Sequence, residues 1–290
     1  MTPDSPPMSI QSVPSPRSQS WTDLRVRLMS AVVLGCVVLA IAMIGGVLFR
    51  LLCCAAAIVV FEEWSKMTRA RRAGPLFKLA RRSLLFGLFA FLLGANAAAL
   101  AIVVVAGAFI AFVDRREHRA DWVLGGLAYA SLAGFAPGML RADDAAGLAV
   151  LGLVITVVWS SDIFAYFTGR ALGGPKIMPS VSPKKTISGC LGGLVAGVFL
   201  GTLFAVAVTG ELHVWMLFLT ACLSILGQAG DLFESWIKRH FGVKDSGRII
   251  PGHGGLMDRI DALIVALSAA WIVGMVSNGL DHPAQAIFRL

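Results

Sequence analysis

Eight stretches without a single charged side chain divide this 290-residue chain: Leu28–Phe49, Leu51–Phe61, Ser83–Val113, Trp122–Leu140, Ala145–Ser161, Thr186–Gly210, Val214–Gly230 and Ala262–Leu280. Several reach the roughly 20 residues that a helix needs to cross a bilayer. Inside hydrocarbon the backbone must satisfy its own hydrogen bonds, so each such stretch is expected to be a helix. Two are too long for one crossing. Leu28 to Phe61 would make a rod of roughly 50 Å against a core of about 30 Å. A break near Gly45-Gly46 resolves it and leaves Arg50 to snorkel from the outer end of the second span. Ser83–Val113 is expected to break near Gly94-Ala95-Asn96. The expectation is an all-α polytopic membrane protein, a bundle of about nine transmembrane helices.

Charge supports that reading. Only 14% of residues are charged and 57% are hydrophobic, whereas soluble domains carry about 25% charged residues. The net charge of +8 falls in alternate loops. One set holds Lys66, Arg69, Arg71, Arg72, Lys78, Arg81 and Arg82, then Arg115, Arg116 and Arg119, then Arg170, Lys176, Lys184 and Lys185, then Lys238, Arg239, Lys244 and Arg248. The opposite set holds little: Asn96, then Arg141 with Asp143 and Asp144, then Glu211 and His213. The positive-inside bias puts the first set and the N-terminus in the cytoplasm. Three regions are expected: a disordered cytoplasmic tail at 1–26, rich in Pro and Ser and without the core of a signal peptide; N-terminal transmembrane helices with basic cytoplasmic loops at 27–140; and a catalytic transmembrane region at 141–290. The positive charge is read as facing anionic lipid, with no nucleic-acid module among the spans. Cys36, Cys53, Cys54, Cys190 and Cys222 lie in or beside apolar runs and read as small buried hydrophobes. Gly125-Gly126 and Gly192-Gly193 read as close helix packing.

Three segments carry polar chemistry. Asp162, Tyr166 and Arg170 are spaced by four residues and share one helix face; an Asp–Arg pair closing a helix end is the structural alternative. Ser182, Pro183, Lys184, Lys185 and Thr186 precede a span, and ammoniums with hydroxyls suit phosphate oxygens, although a basic juxtamembrane anchor has the same composition. The third segment, Gly227–Asp261, is the densest. Asp231, Glu234, Ser235 and Lys238 follow helical register, and Asp258 and Asp261 open the last span. Between them lie Lys244, Asp245, Arg248 and the run Gly252-His253-Gly254-Gly255. Ions at a membrane border are expensive and point to a charged substrate. Aspartates on two helices can hold a hard divalent cation, with waters and phosphates completing its shell. His253 can donate to a phosphate or cap a turn.

At these residues the chain resembles the phosphatidate cytidylyltransferases, or CDP-diacylglycerol synthases. The family pattern of S-x-x-K-R, K-D, P-x-H-G-G and D-R-x-D is filled by Ser235, Lys238 and Arg239, by Lys244 and Asp245, by Pro251, His253, Gly254 and Gly255, and by Asp258, Arg259 and Asp261. The detailed likeness covers about residues 159–261. One position departs: Ser188 stands where the family usually has Glu, two residues after Thr186. The resemblance implies that phosphatidic acid and CTP give CDP-diacylglycerol and pyrophosphate in phospholipid biosynthesis. It implies Mg²⁺, together with a monovalent cation such as K⁺, and a homodimer among membrane lipids. The active site would face the cytoplasm from the inner membrane. Asp231 and Asp258 would be catalytic with Lys238 and Lys244, and Asp231, Asp258 and Asp261 would bind metal. Asp162, Tyr166, Ser182, Lys184, Lys185, Thr186, Ser235, Arg239, His253 and Arg259 would contact substrate. A transporter of lipid or another anionic substrate is the competing reading, and it requires polar groups along a path through the bundle.

Overall fold

The first long apolar stretch breaks at Gly45, where a φ of 73° stops one helix and lets the next begin. The computed structural model describes residues 33, 35–115, 120–142, 145–249 and 254–288. The expected 1–26 tail, Arg116, Arg119, Asp143, Asp144, Pro251 and His253 lie outside them. Helix α1 is described over Gly35–Ile44. It is followed by α2 (Gly46–Met67), a 3-10 turn (Ala70–Ala73), α3 (Pro75–Leu92), α4 (Asn96–Asp114), α5 (Asp121–Arg141), α6 (Ala145–Leu172), α7 (Ile187–Thr209), α8 (Val214–His240), α9 (Met257–Asn278) and a terminal turn, α10 (Ala284–Ile287). The second expected break also falls where predicted, since α3 ends at Leu92 and α4 starts at Asn96.

Among the described residues the fold is all-helical, with an isolated bridge that joins Lys176 to Thr186. Among the described residues six helices, α4 to α9, are long and apolar enough to cross a membrane. Helix α2 carries Arg50, Glu62, Glu63 and Lys66, and α3 carries Lys78, Arg81 and Arg82. Those three α3 cations were expected in a loop. Pro75 at the first helical position starts the helix ahead of them, because proline has a suitable φ and needs no N–H partner there.

Helix α5 is the hub. Some 72% of its apolar stretch is buried inside the protein, against 28% for α4. It touches α2, α3, α4, α6 and α9. Small residues permit these approaches. A Cβ on Gly126 would stand 2.5 Å from Trp64 Cδ1, and the Trp64 indole donates to Trp122 O at 2.8 Å. Between α6 and α7, a Cβ on Gly193 would stand 2.6 Å from Ser161 O. Helices without a water-driven force between them associate through such close packing.

Two cations bind helix ends. Arg50 Nη1 donates to Phe91 O at 2.8 Å, and its guanidinium lies 5.0 Å from the Phe91 ring centroid. Arg141, expected in an outer loop, is buried, and its Nε and Nη2 donate to Ala42 O at 2.7 Å and Met43 O at 3.1 Å. Both arginines donate to carbonyls in the last turn of a helix, where intrahelical donors run out. Cys53 and Cys54 are buried free thiols.

Replacing Gly126 by Val should force the Trp64 ring off its packing and cost about 1–3 kcal/mol. Thermal unfolding of the detergent-solubilised variant should show a lowered Tm, and an unchanged Tm would contradict the packing described.

Candidate active site

The polar side chains gather at one end of the bundle. That end is formed by the C-terminal ends of α2, α6 and α8 and the N-terminal ends of α5, α7 and α9. Helix α6 continues through Asp162, Tyr166 and Arg170, as the four-residue spacing predicts. Arg170 donates to the Tyr166 hydroxyl at 3.0 Å, and both are exposed. The structural alternative, an Asp162–Arg170 pair, is not what forms. Asp162 instead lies within electrostatic reach of Asp231 and Lys185.

The segment from Gly173 to Thr186 folds back on itself. Ile177 N donates to Lys185 O at 3.2 Å, and Ile187 N donates to Pro175 O at 3.0 Å. Thr186 then caps α7 by accepting from Gly189 N at 3.1 Å, the usual role of a hydroxyl at a helix start. Ser188 donates to Gly173 O, and its Oγ lies 3.1 Å from Thr186 Oγ1. The residue that departs from the family pattern therefore fastens the α6–α7 turn to the first turn of α7. Lys185 forms an ion pair with Asp231 on α8, while Lys184 is exposed and Ser182 half-buried.

Helix α8 keeps its register through the polar segment, so Asp231, Glu234, Ser235 and Lys238 share a face. Ser235 Oγ lies 3.4 Å from Asp231 Oδ1. Lys238 Nζ donates to Glu234 Oε2 at 2.6 Å and to Asp258 Oδ1 at 2.8 Å. It thereby ties α8 to α9. Glu234 is 1% exposed, and its Oε1 is buried with no hydrogen-bond partner. Arg239 donates from Nε to Val181 O at 3.4 Å and from Nη1 to Val243 O at 3.2 Å, so it binds two loops together. Lys244, Asp245, Arg248 and Arg259 are exposed.

Asp258 is held by several donors. Besides Lys238, it accepts from Ser246 N at 3.0 Å and from Gly255 N at 2.9 Å. Asp261 accepts from Ala262 N at 2.8 Å and stands within electrostatic reach of Asp231 and Glu234. His253, singled out in the sequence, lies outside the described residues.

Two further residues belong to this end. Glu63 of α2 is buried and accepts from Ser246 Oγ, Leu256 N and Met257 N. Tyr129 of α5 is buried, its hydroxyl has no hydrogen-bond partner, and it lies within reach of Asp261, Glu234 and Asp231. The only sequence signal for Glu63 was a pair of carboxylates, Glu62 and Glu63, closing an apolar run beside a basic loop. Nothing marked Tyr129, which sits mid-run.

The donor chemistry fits a hard divalent cation, because carboxylate oxygens dominate and one of them, Glu234 Oε1, is a buried acceptor with no donor. Among the described residues no three ligand side chains converge into a ready-made cage. Asp231 and Asp258 each hold a lysine instead. A cation here would take one or two of these carboxylates and complete its shell from water and phosphate oxygens.

Comparison with known proteins gives the class. The model of the cytidylyltransferase family matches residues 25–276. A phosphatidate cytidylyltransferase of Brucella suis is 38% identical over 267 residues, covering 92% of this chain and 99% of that protein. One from Brucella abortus is 39% identical over 255 residues, covering 88% and 94%. One from Bacillus subtilis is 43% identical over 129 residues, covering 44% and 48%. The chain belongs to the cytidylyltransferase family, and it is an integral membrane protein.

Lys238 neutralises two carboxylates that are 1% and 8% exposed. Lys238→Met should therefore destabilise the fold by about 3–5 kcal/mol, since removing one partner leaves buried charge without compensation. Adding Glu234→Gln should recover part of the loss in chemical denaturation. Equal stability of the single and double variants would argue against the shared ion pair.

Proposed function

We propose that the polar end of the bundle transfers CMP from CTP to phosphatidic acid, giving CDP-diacylglycerol and pyrophosphate. The observation that carries this reading is the Lys185–Asp231 and Glu234–Lys238–Asp258 network at the border of an apolar bundle. The similarity to phosphatidate cytidylyltransferases over nearly the whole chain supports the same reaction.

The physics of the reaction suits such a site. Phosphatidic acid already carries an anionic phosphate oxygen, so its attack on the α-phosphorus of CTP needs no strong base. The new P–O bond forms as the bond to pyrophosphate breaks. The barrier comes largely from repulsion between two anions, and fixed cations and in-line placement lower it. Lys238 uses two of its three donors on Glu234 and Asp258, which leaves the third for a phosphate oxygen. Lys185, oriented by Asp231, offers a second ammonium. Lys184, Lys244 and Arg259 lie at the water-facing rim, with Ser182, Thr186, Ser235 and His253 as further substrate contacts. Arg239 keeps Nη2 for the same purpose while its other donors brace the loops. Asp162 would orient Lys185 or the cytosine, with Tyr166 beside it.

Mg²⁺, when bound, would neutralise charge on the α-phosphate and the leaving pyrophosphate. Asp231, Asp258 and Asp261 are the residues proposed to hold it, with a monovalent cation such as K⁺ as a further occupant. The proposed topology has nine spans, a cytoplasmic N-terminus and a site opening to the cytoplasmic face of the inner membrane. CTP then enters from water while acyl chains stay in lipid. A homodimer is the proposed assembly. Transport is disfavoured, because the residues of this network cluster at one end instead of lining a path.

The test is incorporation of radiolabelled CTP into lipid by purified protein with phosphatidic acid and Mg²⁺. Asp258→Asn should lower kcat on the order of 10²-fold or more; near-normal turnover would remove its assigned role. Lys185→Ala should lower kcat/KM for CTP, and unchanged kinetics would take Lys185 out of the site.

A further inference from the structure

The N-terminal half of the chain was expected to contribute spans and basic loops, yet one of its carboxylates reaches into the polar segment. Glu63 is 1% exposed. Its Oε2 accepts from Ser246 Oγ at 3.1 Å and Met257 N at 2.8 Å, and its Oε1 accepts from Leu256 N at 3.0 Å. These partners lie 183 to 194 residues along the chain. The first N–H groups of any helix have no partner within it, and Leu256 at the start of α9 makes no side-chain cap of its own. Glu63 supplies that cap from another helix. A carboxylate there also opposes the positive end of the α9 dipole.

Two glycines make room for it. A Cβ on Gly247 would run into Glu63 Oε1, and one on Gly255 would stand 2.8 Å from both carboxylate oxygens. Ser246 is shared: its hydroxyl goes to Glu63, while its N–H goes to Asp258. Gly255 N goes to Asp258, and the next two N–H groups go to Glu63. The same short stretch of backbone is therefore clamped from α2 on one side and by Asp258 on the other.

We propose that Glu63 is a positioning residue for CMP transfer, acting through Ser246 and the first turn of α9 to hold Asp258 against Lys238. The inference rests on the reading of Asp258 given above. The groups that Glu63 holds are Ser246 Oγ, Leu256 N and Met257 N. Its loss would free Ser246 and the α9 start, and Asp258 would lose its fixed direction.

Glu63→Gln is the sharpest test, because an amide keeps the shape but turns one acceptor into a donor facing donors. With phosphatidic acid, CTP and Mg²⁺, kcat should fall on the order of 10²-fold, the scale of a small misplacement of a reacting group. KM for both substrates should stay within a few-fold, and Glu63→Asp should retain more activity than Glu63→Gln. If Glu63→Gln fails to fold, Gly247→Ala decides, since it crowds the carboxylate without removing it: reduced kcat at unchanged KM supports the proposal, and normal kcat overturns it. A folded Glu63→Gln with wild-type kcat also overturns it. So does a loss that falls on KM or merely follows the folded fraction. Wild-type protein that makes no CDP-diacylglycerol sinks the reading of the site and this inference with it. An active wild type beside an unimpaired Glu63→Gln sinks the inference alone.

Discussion

Helix α9 starts inside the protein, and a helix start that is out of water must find acceptors for its N–H groups. Asp258 reaches back to Gly255 N, and Glu63 reaches across from α2 to Leu256 N and Met257 N. The rest of the polar end depends on this arrangement. The loop after α8 is held because Ser246 donates to both carboxylates. Lys238 meets Asp258 because Asp258 is held by that loop. Helices α2, α8 and α9 are thus joined through hydrogen bonds to charged groups, which are stronger than neutral ones.

The charges of this end are shared in a way that a lone buried ion could not be. Lys238 serves two carboxylates, Lys185 serves Asp231, and Asp162 stands near that second pair. Such groups are costly to bury unless paired, and near lipid they are retained mainly where a charged substrate is handled. A ring cluster supports the frame from the other side of α8. Trp64, Trp122, Tyr129, Phe233 and Trp236 pack against one another with ring centroids 5.4 to 6.4 Å apart. The position that departs from the family pattern finds its physical place too. Ser188 uses its hydroxyl to close the turn from α6 into α7, a local task that needs no carboxylate.

Much of the fold was legible because the signals were local. Uncharged length marked the helices, and glycine marked both breaks, at Gly45 and before Asn96. Helical spacing placed Asp231, Glu234, Ser235 and Lys238 on one face of α8. The errors were also local in origin. A charge count assigned Lys78, Arg81 and Arg82 to a loop, although Pro75 had already begun α3. The charge count also puts Arg141 in an outer loop, although it is buried and binds carbonyls at a helix end.

What the sequence determined by itself was the helical class, the concentration of polar groups between Asp162 and Asp261, and the type of chemistry they suit. Each follows from composition or from the period of a single helix. The tertiary structure decided which of those groups meet across helices: Lys185 with Asp231, Lys238 with Asp258, and Glu63 with a helix start 194 residues away. No periodicity encodes such pairings. They arise because close packing of helices around α5 brings unmatched donors and acceptors together, and burial requires those groups to find partners.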